Sequence, residues 1–178
     1  MPDISESNSS ETLDALAGKV REASRSGKVL PLHDVWKGNG EDFLEWKQSQ
    51  TGMDDIALMQ ENGEFLYSEQ HMTRAYAEGA ARAVCKDKCY AIAQTVRGES
   101  RTYPRPTPLA LFGEAPFLFS KDILDEAVKT MLSDPDYGDI RPIQASDGSR
   151  FLFSSVHMDP AHAESMAEWM AVGHMQNP

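Results

Sequence analysis

Cysteine is scarce: Cys85 and Cys89 are the two in 178 residues. That is too few for a small disulfide-stapled secreted fold, and the pair stands four residues apart in a helical-looking segment. Long apolar runs are missing as well. None approaches the roughly 18 residues of a membrane helix, and the opening MPDISESNSSE has neither the basic nor the apolar stretch of a signal peptide. A cytoplasmic chain with no membrane contact is expected. Positive charge is in deficit, with 17 Lys and Arg against 28 Asp and Glu and a formal net charge of −11. The deficit is global: −1 over residues 1–30, −5 over 31–100 and −5 over 101–178. Proteins that neutralise DNA phosphates carry a basic face. The expected partner is therefore another protein, not nucleic acid. Catalytic signatures are absent too: there is no G-x-S-x-G, Walker A loop, G-x-G-x-x-G, H-E-x-x-H or EF-hand loop. The expectation is a chain that is not an enzyme and carries no cofactor.

What the sequence does contain is a repeat. Residues 65–84, FLYSEQHMTRAYAEGAARAV, align with 151–170, FLFSSVHMDPAHAESMAEWM, at a constant offset of 86. Nine of the twenty positions are identical, including Ser68/Ser154, His71/His157 and Met72/Met158, where ordinary residue frequencies give about one or two. Upstream, DIALMQ matches DIRPIQ at offset 84. The change of offset falls at a turn, ENG in one copy and ASDGS in the other, where loop tips tolerate insertion.

Each copy reads as helix, hairpin, helix. Glu41 to Ser49 is a short helix in the first copy, and Ser120 caps its counterpart KDILDEAVKTML in the second. There Ile123, Leu124, Ala127, Val128, Met131 and Leu132 form one apolar face. Strands follow at 56–59 and 64–67, and at 140–143 and 150–153. They are joined by Asn62-Gly63 and Asp147-Gly148, which tolerate positive φ. The closing helix of the second copy starts at Asp159-Pro160 and ends near Val172. That of the first has no proline, and the pattern predicts an unbroken spine from Thr73 to Thr95. A leading helix carries Leu13, Leu16, Val20 and Ala23 on one face, with Asn8 as its N-cap, Gly27 at its end and residues 1–7 frayed.

A helix feeding a two-stranded hairpin, with a further helical segment ahead of it, resembles a winged-helix module whose wing is the hairpin. The expected fold is thus α+β, with two sequence-related winged-helix-like modules. The first spans 8–96 with its long last helix, a Pro/Arg-rich linker spans 97–108, and the second module spans 109–178. The resemblance implies either DNA binding or protein contact. In a DNA binder the helix before the wing reads bases, but Glu41, Asp42 and Glu45 in one copy and Asp122, Asp125 and Glu126 in the other oppose phosphate. The expected role is a non-enzymatic adaptor, accessory or regulatory protein. A DNA-binding regulator is the first alternative and a small redox or metal protein the second.

Candidate site residues follow from these readings. Lys86, Lys88, Arg97, Arg101 and Arg105 form a basic stretch between the acidic halves. It is either a solvated or internally paired segment or a surface for an acidic partner. Met158, Met166, Met170 and Met175 crowd the C-terminal segment, where Trp169 and Met170 are candidates for partner contact. The metal candidates are Cys85, Cys89 and His71, since a zinc site needs ligands beyond two cysteines. The repeated His-Met pairs are explained more simply by packing or capping inherited by both copies. A second copy of the chain is the other partner considered. Trp36, Phe43, Trp46, Phe112, Phe117, Phe119 and Trp169 are expected in the core.

Overall fold

The computed structural model describes residues 5–172, with side chains from residue 14 onward. The reading on the Leu13 side chain falls before the described side chains, and those on Met175 and on the first four residues lie outside the described residues. The chain is mixed α+β and divides into two units, Met1–Arg82 and Ala83–Pro178.

In the first unit α1 (Ser5–Arg25) leads to a two-residue strand β1 (Leu30–Pro31), a 3-10 turn over Leu32–Asp34 and α2 (Gly40–Gln48). The hairpin β2 (Ile56–Gln60) and β3 (Glu64–Ser68) follows, then α3 (Arg74–Val84). Asn8 lies inside α1 rather than capping it. Gly27, at φ 76, ends that helix by entering the left-handed region after the last turn. The cap of α2 is Asn39, in a reciprocal capping box with Asp42. Replacing Asn39 by alanine removes one of the few polar anchors of this short helix. A loss of about 1 kcal/mol in urea unfolding is expected, with the far-UV spectrum unchanged.

The second unit repeats the order: α4 (Lys88–Thr102), β4 (Thr107–Pro108), a 3-10 turn over Leu109–Gly113 and α5 (Lys121–Ser133). After a 3-10 turn over Pro135–Tyr137 come β5 (Ile140–Gln144), β6 (Arg150–Ser154) and α6 (Pro160–Val172). Ser120 caps α5 as its sequence indicated. Each hairpin is part of a three-stranded antiparallel sheet, in the order β1-β3-β2 and β4-β6-β5. The registers correspond, with Leu30 opposite Leu66 and Thr107 opposite Leu152, and with Ile56 opposite Ser68 and Ile140 opposite Ser154. The short first strands were not legible because two residues carry no periodicity.

The sheets are covered on both faces. Leu66 faces Val20, Leu32, Phe43 and Ile56, while Tyr67 and Met59 pack on Met72, Ala77, Ala80 and Ala81 of the strand-to-helix turn and α3. In the second unit Leu152 joins Ile92, Val96, Phe112, Leu124 and Met131, whereas Phe151 and Phe153 meet Ala163, Ala167 and Ala171 of α6. Alternating strand residues feed the two faces, and alanines let the last helix lie close to the aromatic rings. A free-standing wing is thus not what the hairpin forms here: both of its faces carry helices.

Three expectations need correction. The spine from Thr73 to Thr95 is broken into α3 and α4 at residues 85–87. Asp87 caps α4 by accepting from the Tyr90 N–H at 3.0 Å, and Lys88 Nζ donates to the carbonyls of Ala83 and Cys85 at 3.0 and 2.7 Å. An aspartate N-cap starts a new helix where apolar spacing alone suggests continuity. Second, the division falls at Arg82/Ala83, so 88–102 opens the second unit, and the expected linker 97–108 holds the end of α4, a short connection over 103–106 and β4. Third, the apolar face of α5 is narrower than its spacing indicated, since Ile123 and Leu132 are exposed while Leu124, Ala127, Val128 and Met131 are buried. Among the described residues no helix is long and apolar enough to cross a membrane.

Candidate functional site

Both units are fastened by the same polar clasp. In the first, Arg21 at the end of α1 grips Asp55 at the head of β2, with Nε to Oδ2 at 3.0 Å and a guanidinium NH2 to Oδ1 at 2.5 Å. The same NH2 reaches the Gly52 carbonyl at 2.7 Å. Ser68 Oγ donates to Asp55 at 2.6 Å, and the buried Ser68 N–H donates to Ser24 Oγ at 2.8 Å. In the second, Arg97 grips Asp139 at 3.0 and 2.6 Å and reaches the Asp136 carbonyl at 3.0 Å. Ser154 Oγ donates to Asp139 at 2.7 Å, and the Ser154 N–H donates to Ser100 Oγ at 3.0 Å. The Arg hydrogen bonds, helped by the serine, outweigh burial and hold both aspartates at a pKa of about 2, well below the usual carboxylate value.

The clasp fixes the turn that follows. The Ser68 carbonyl accepts from the N–H groups of His71 and Met72, and the Ser154 carbonyl from those of His157 and Met158. Both methionines are buried and both histidines exposed. The repeated Ser-x-x-His-Met segment thus has a packing role through Ser and Met. The clasp itself went unrecognised in the sequence. Its signal was there: VREASR at 20–25 and VRGESR at 96–101 share Val, Arg, Ser and Arg at offset 76, and pairing them would have put α4 at the start of the second copy.

Above the second unit's core, an apolar groove of about 620 Å³ opens between the 3-10 turn, α5, the β5–β6 turn and the end of α6. Leu109, Phe119, Leu124, Phe151 and Met170 line it. Its rim carries Arg150, ion-paired to Asp125 at 2.7 Å, and Lys121. The α6 side is tied to the hairpin by Glu168, which accepts from the Ser146 N–H at 2.9 Å and from the Ser146 hydroxyl. Trp169, next to Met170, is 61% exposed and so departs from the expected core position. Trp36 and Trp46 are half-buried, while Phe43, Phe112, Phe117 and Phe119 are in the core.

The basic stretch does not converge on one surface. Arg97 is held in the clasp, Arg105 pairs with Glu99 at 2.7 Å, and Lys88 caps carbonyls beside the Phe119 ring. Lys86 and Arg101 are exposed, and neither has a hydrogen bond or ion pair with a described residue. Nor do the metal candidates assemble. Among the described residues no group of three or more His, Cys, Asp or Glu side chains could hold an ion. Cys85 is half-buried in the break between α3 and α4. The half-buried Cys89 thiol points at the Ala127 carbonyl at 3.6 Å, and burial pushes its pKa up, away from a reactive thiolate.

A family model described as the YdhW C-terminal domain matches residues 86–175. An uncharacterized YdhW protein of Escherichia coli (strain K12) is 36% identical over 176 residues, covering 94% of this chain and 82% of that protein. The chain belongs to the YdhW family. The stretch matched by the YdhW C-terminal domain falls inside the second unit, which carries one of the two clasps and the groove. No solved structure gives a significant match.

Proposed function

We propose that this YdhW-family chain is a non-enzymatic accessory or adaptor protein that works in the cytoplasm by binding another protein through its second unit. The observation that carries the reading is the apolar groove, together with the exposed Trp169 that precedes its lining residue Met170 in α6. Grooves lined by apolar side chains with a charged rim accept an apolar helix or segment of a partner, and exposed Trp and Met are typical anchors. Leu118, 70% exposed and held at φ 53, adds a second apolar side chain fixed in an unfavourable backbone state next to the groove residue Phe119. The two units are read as copies of one winged-helix-like module by their order of helix, strand, turn, helix and hairpin. Fold alone assigns no activity, so the reading rests on the groove chemistry.

Affinity capture from native lysate, with and without nuclease, tests this when wild type is compared with Met170→Asp. A stoichiometric, nuclease-resistant partner held by wild type and lost by Met170→Asp, with helicity unchanged, is the expected outcome. Partners that vanish with nuclease would instead favour DNA binding, and equal capture by the variant would dismiss the groove.

A further inference from the structure

The first unit holds a cavity of a different character. It has a volume of about 740 Å³ and is walled by Trp36 and Trp46, with Lys19 from α1, His33 and Lys37 around the 3-10 turn, and Gln50 after α2. The two indoles are 4.8 Å apart between centroids and inclined at 39°. Buried Phe43 meets the Trp36 ring edge-on at 5.6 Å, which fixes the pair from beneath. The second unit has no tryptophan pair in this place: its own aromatic trio, Phe112, Phe117 and Phe119, is part of the core, with Phe119 also lining the groove.

Two unpaired lysines stand on the same cavity wall as the indoles. Lys19 and Lys37 have no hydrogen bond or ion pair with a described residue, whereas Arg21, Arg82, Arg97, Arg105 and Arg150 are all paired to carboxylates. Among the described residues the one acidic lining residue, Asp34, lies 3.3 Å from its neighbour His33. Trp36 Nε1–H is buried without an acceptor among the described residues. It lies against Gly38, where an added Cβ would be 2.7 Å from it. Unpaired ammonium groups on one cavity wall with half-buried indoles form the pairing that stacks a planar base and holds its phosphate, and the volume is that of a small-ligand site.

We propose that this cavity binds a purine nucleotide, with the base stacked on Trp36 and Trp46 and the phosphate held by Lys19 and Lys37. The inference is independent of the groove in the second unit. The test uses the full chain in a Trp169→Phe background, so that tryptophan emission reports the first unit alone, titrated with adenosine monophosphate, adenosine and ribose 5-phosphate. Saturable quenching by adenosine monophosphate is expected, at least about tenfold tighter than by either fragment. The double variant Lys19→Ala/Lys37→Ala, both at the surface, should weaken the nucleotide by about tenfold and leave adenosine unaffected, with the urea midpoint unchanged. No quenching at millimolar nucleotide, equal binding of the nucleotide and ribose 5-phosphate, or a double variant that binds the nucleotide as wild type does would each overturn the proposal. Trp46→Leu should abolish base stacking while the lysine variants report on the phosphate even if that core change lowers stability.

Discussion

Replacing Asp139 by alanine is expected to destabilise the protein by about 3 kcal/mol, between the cost of breaking a buried ion pair and that of an exposed one. The side chains of Arg97 and Asp139 are 27% and 14% exposed, so neither limit applies alone. The truncation strands a guanidinium fork that made two bonds to the carboxylate and removes the acceptor of the Ser154 hydroxyl. Ser100→Ala should cost less, about 1 to 3 kcal/mol, because it leaves the buried Ser154 N–H without its acceptor. Urea unfolding measures both, and hydrogen exchange localises the change. Amides of β5 and β6 should lose protection before those of β2 and β3 in Asp139→Ala, and the reverse should hold for Asp55→Ala. A cost below about 1 kcal/mol would place the clasp among ordinary surface pairs.

Acid should release both clasps together. Asp55 and Asp139 ionise at about 2 in the folded chain against an ordinary value of 3.8, so the unfolded chain takes up protons first as pH falls. Their contribution is complete above about pH 4 and disappears as pH drops through about 2. Allowing for the water that reaches the arginines, each clasp contributes about 1 to 2 kcal/mol at neutral pH. Urea midpoints between pH 5 and pH 2 should fall accordingly. The double variant Asp55→Asn/Asp139→Asn should start lower and fall less, since the replaced side chains no longer titrate. A parallel fall in variant and wild type would assign the acid sensitivity to other carboxylates.

The sequence made the hairpins legible because Asn62-Gly63 and Asp147-Gly148 sit between alternating strands, and all four strands extend one residue beyond their expected ends. It made α5 and α6 legible through Ser120 and through Asp159 before Pro160. It hid the break at residues 85–87, since Cys85 to Cys89 fits a helical spacing and the cap depends on one aspartate. It also hid the groove. Leu109, Phe151 and Met170 lie far apart in the chain, and no local pattern says that the space between them stays open. The clasp was readable only by comparing the copies over their full length, because its Arg lies more than thirty residues ahead of its Asp in each.

The outer strands of the two sheets differ in a way that bears on association between chains. In the second sheet β5 reads IRPIQ, with Arg141 exposed and Pro142 lacking an N–H, and both features discourage another strand from adding to that edge. Its counterpart β2 reads IALMQ, with neither charge nor proline. Conditions that loosen the first unit would therefore bare a flat, uncharged ribbon able to template strand pairing with its neighbours, while the second sheet would stay guarded. Aggregation, if it comes, should begin from the N-terminal half.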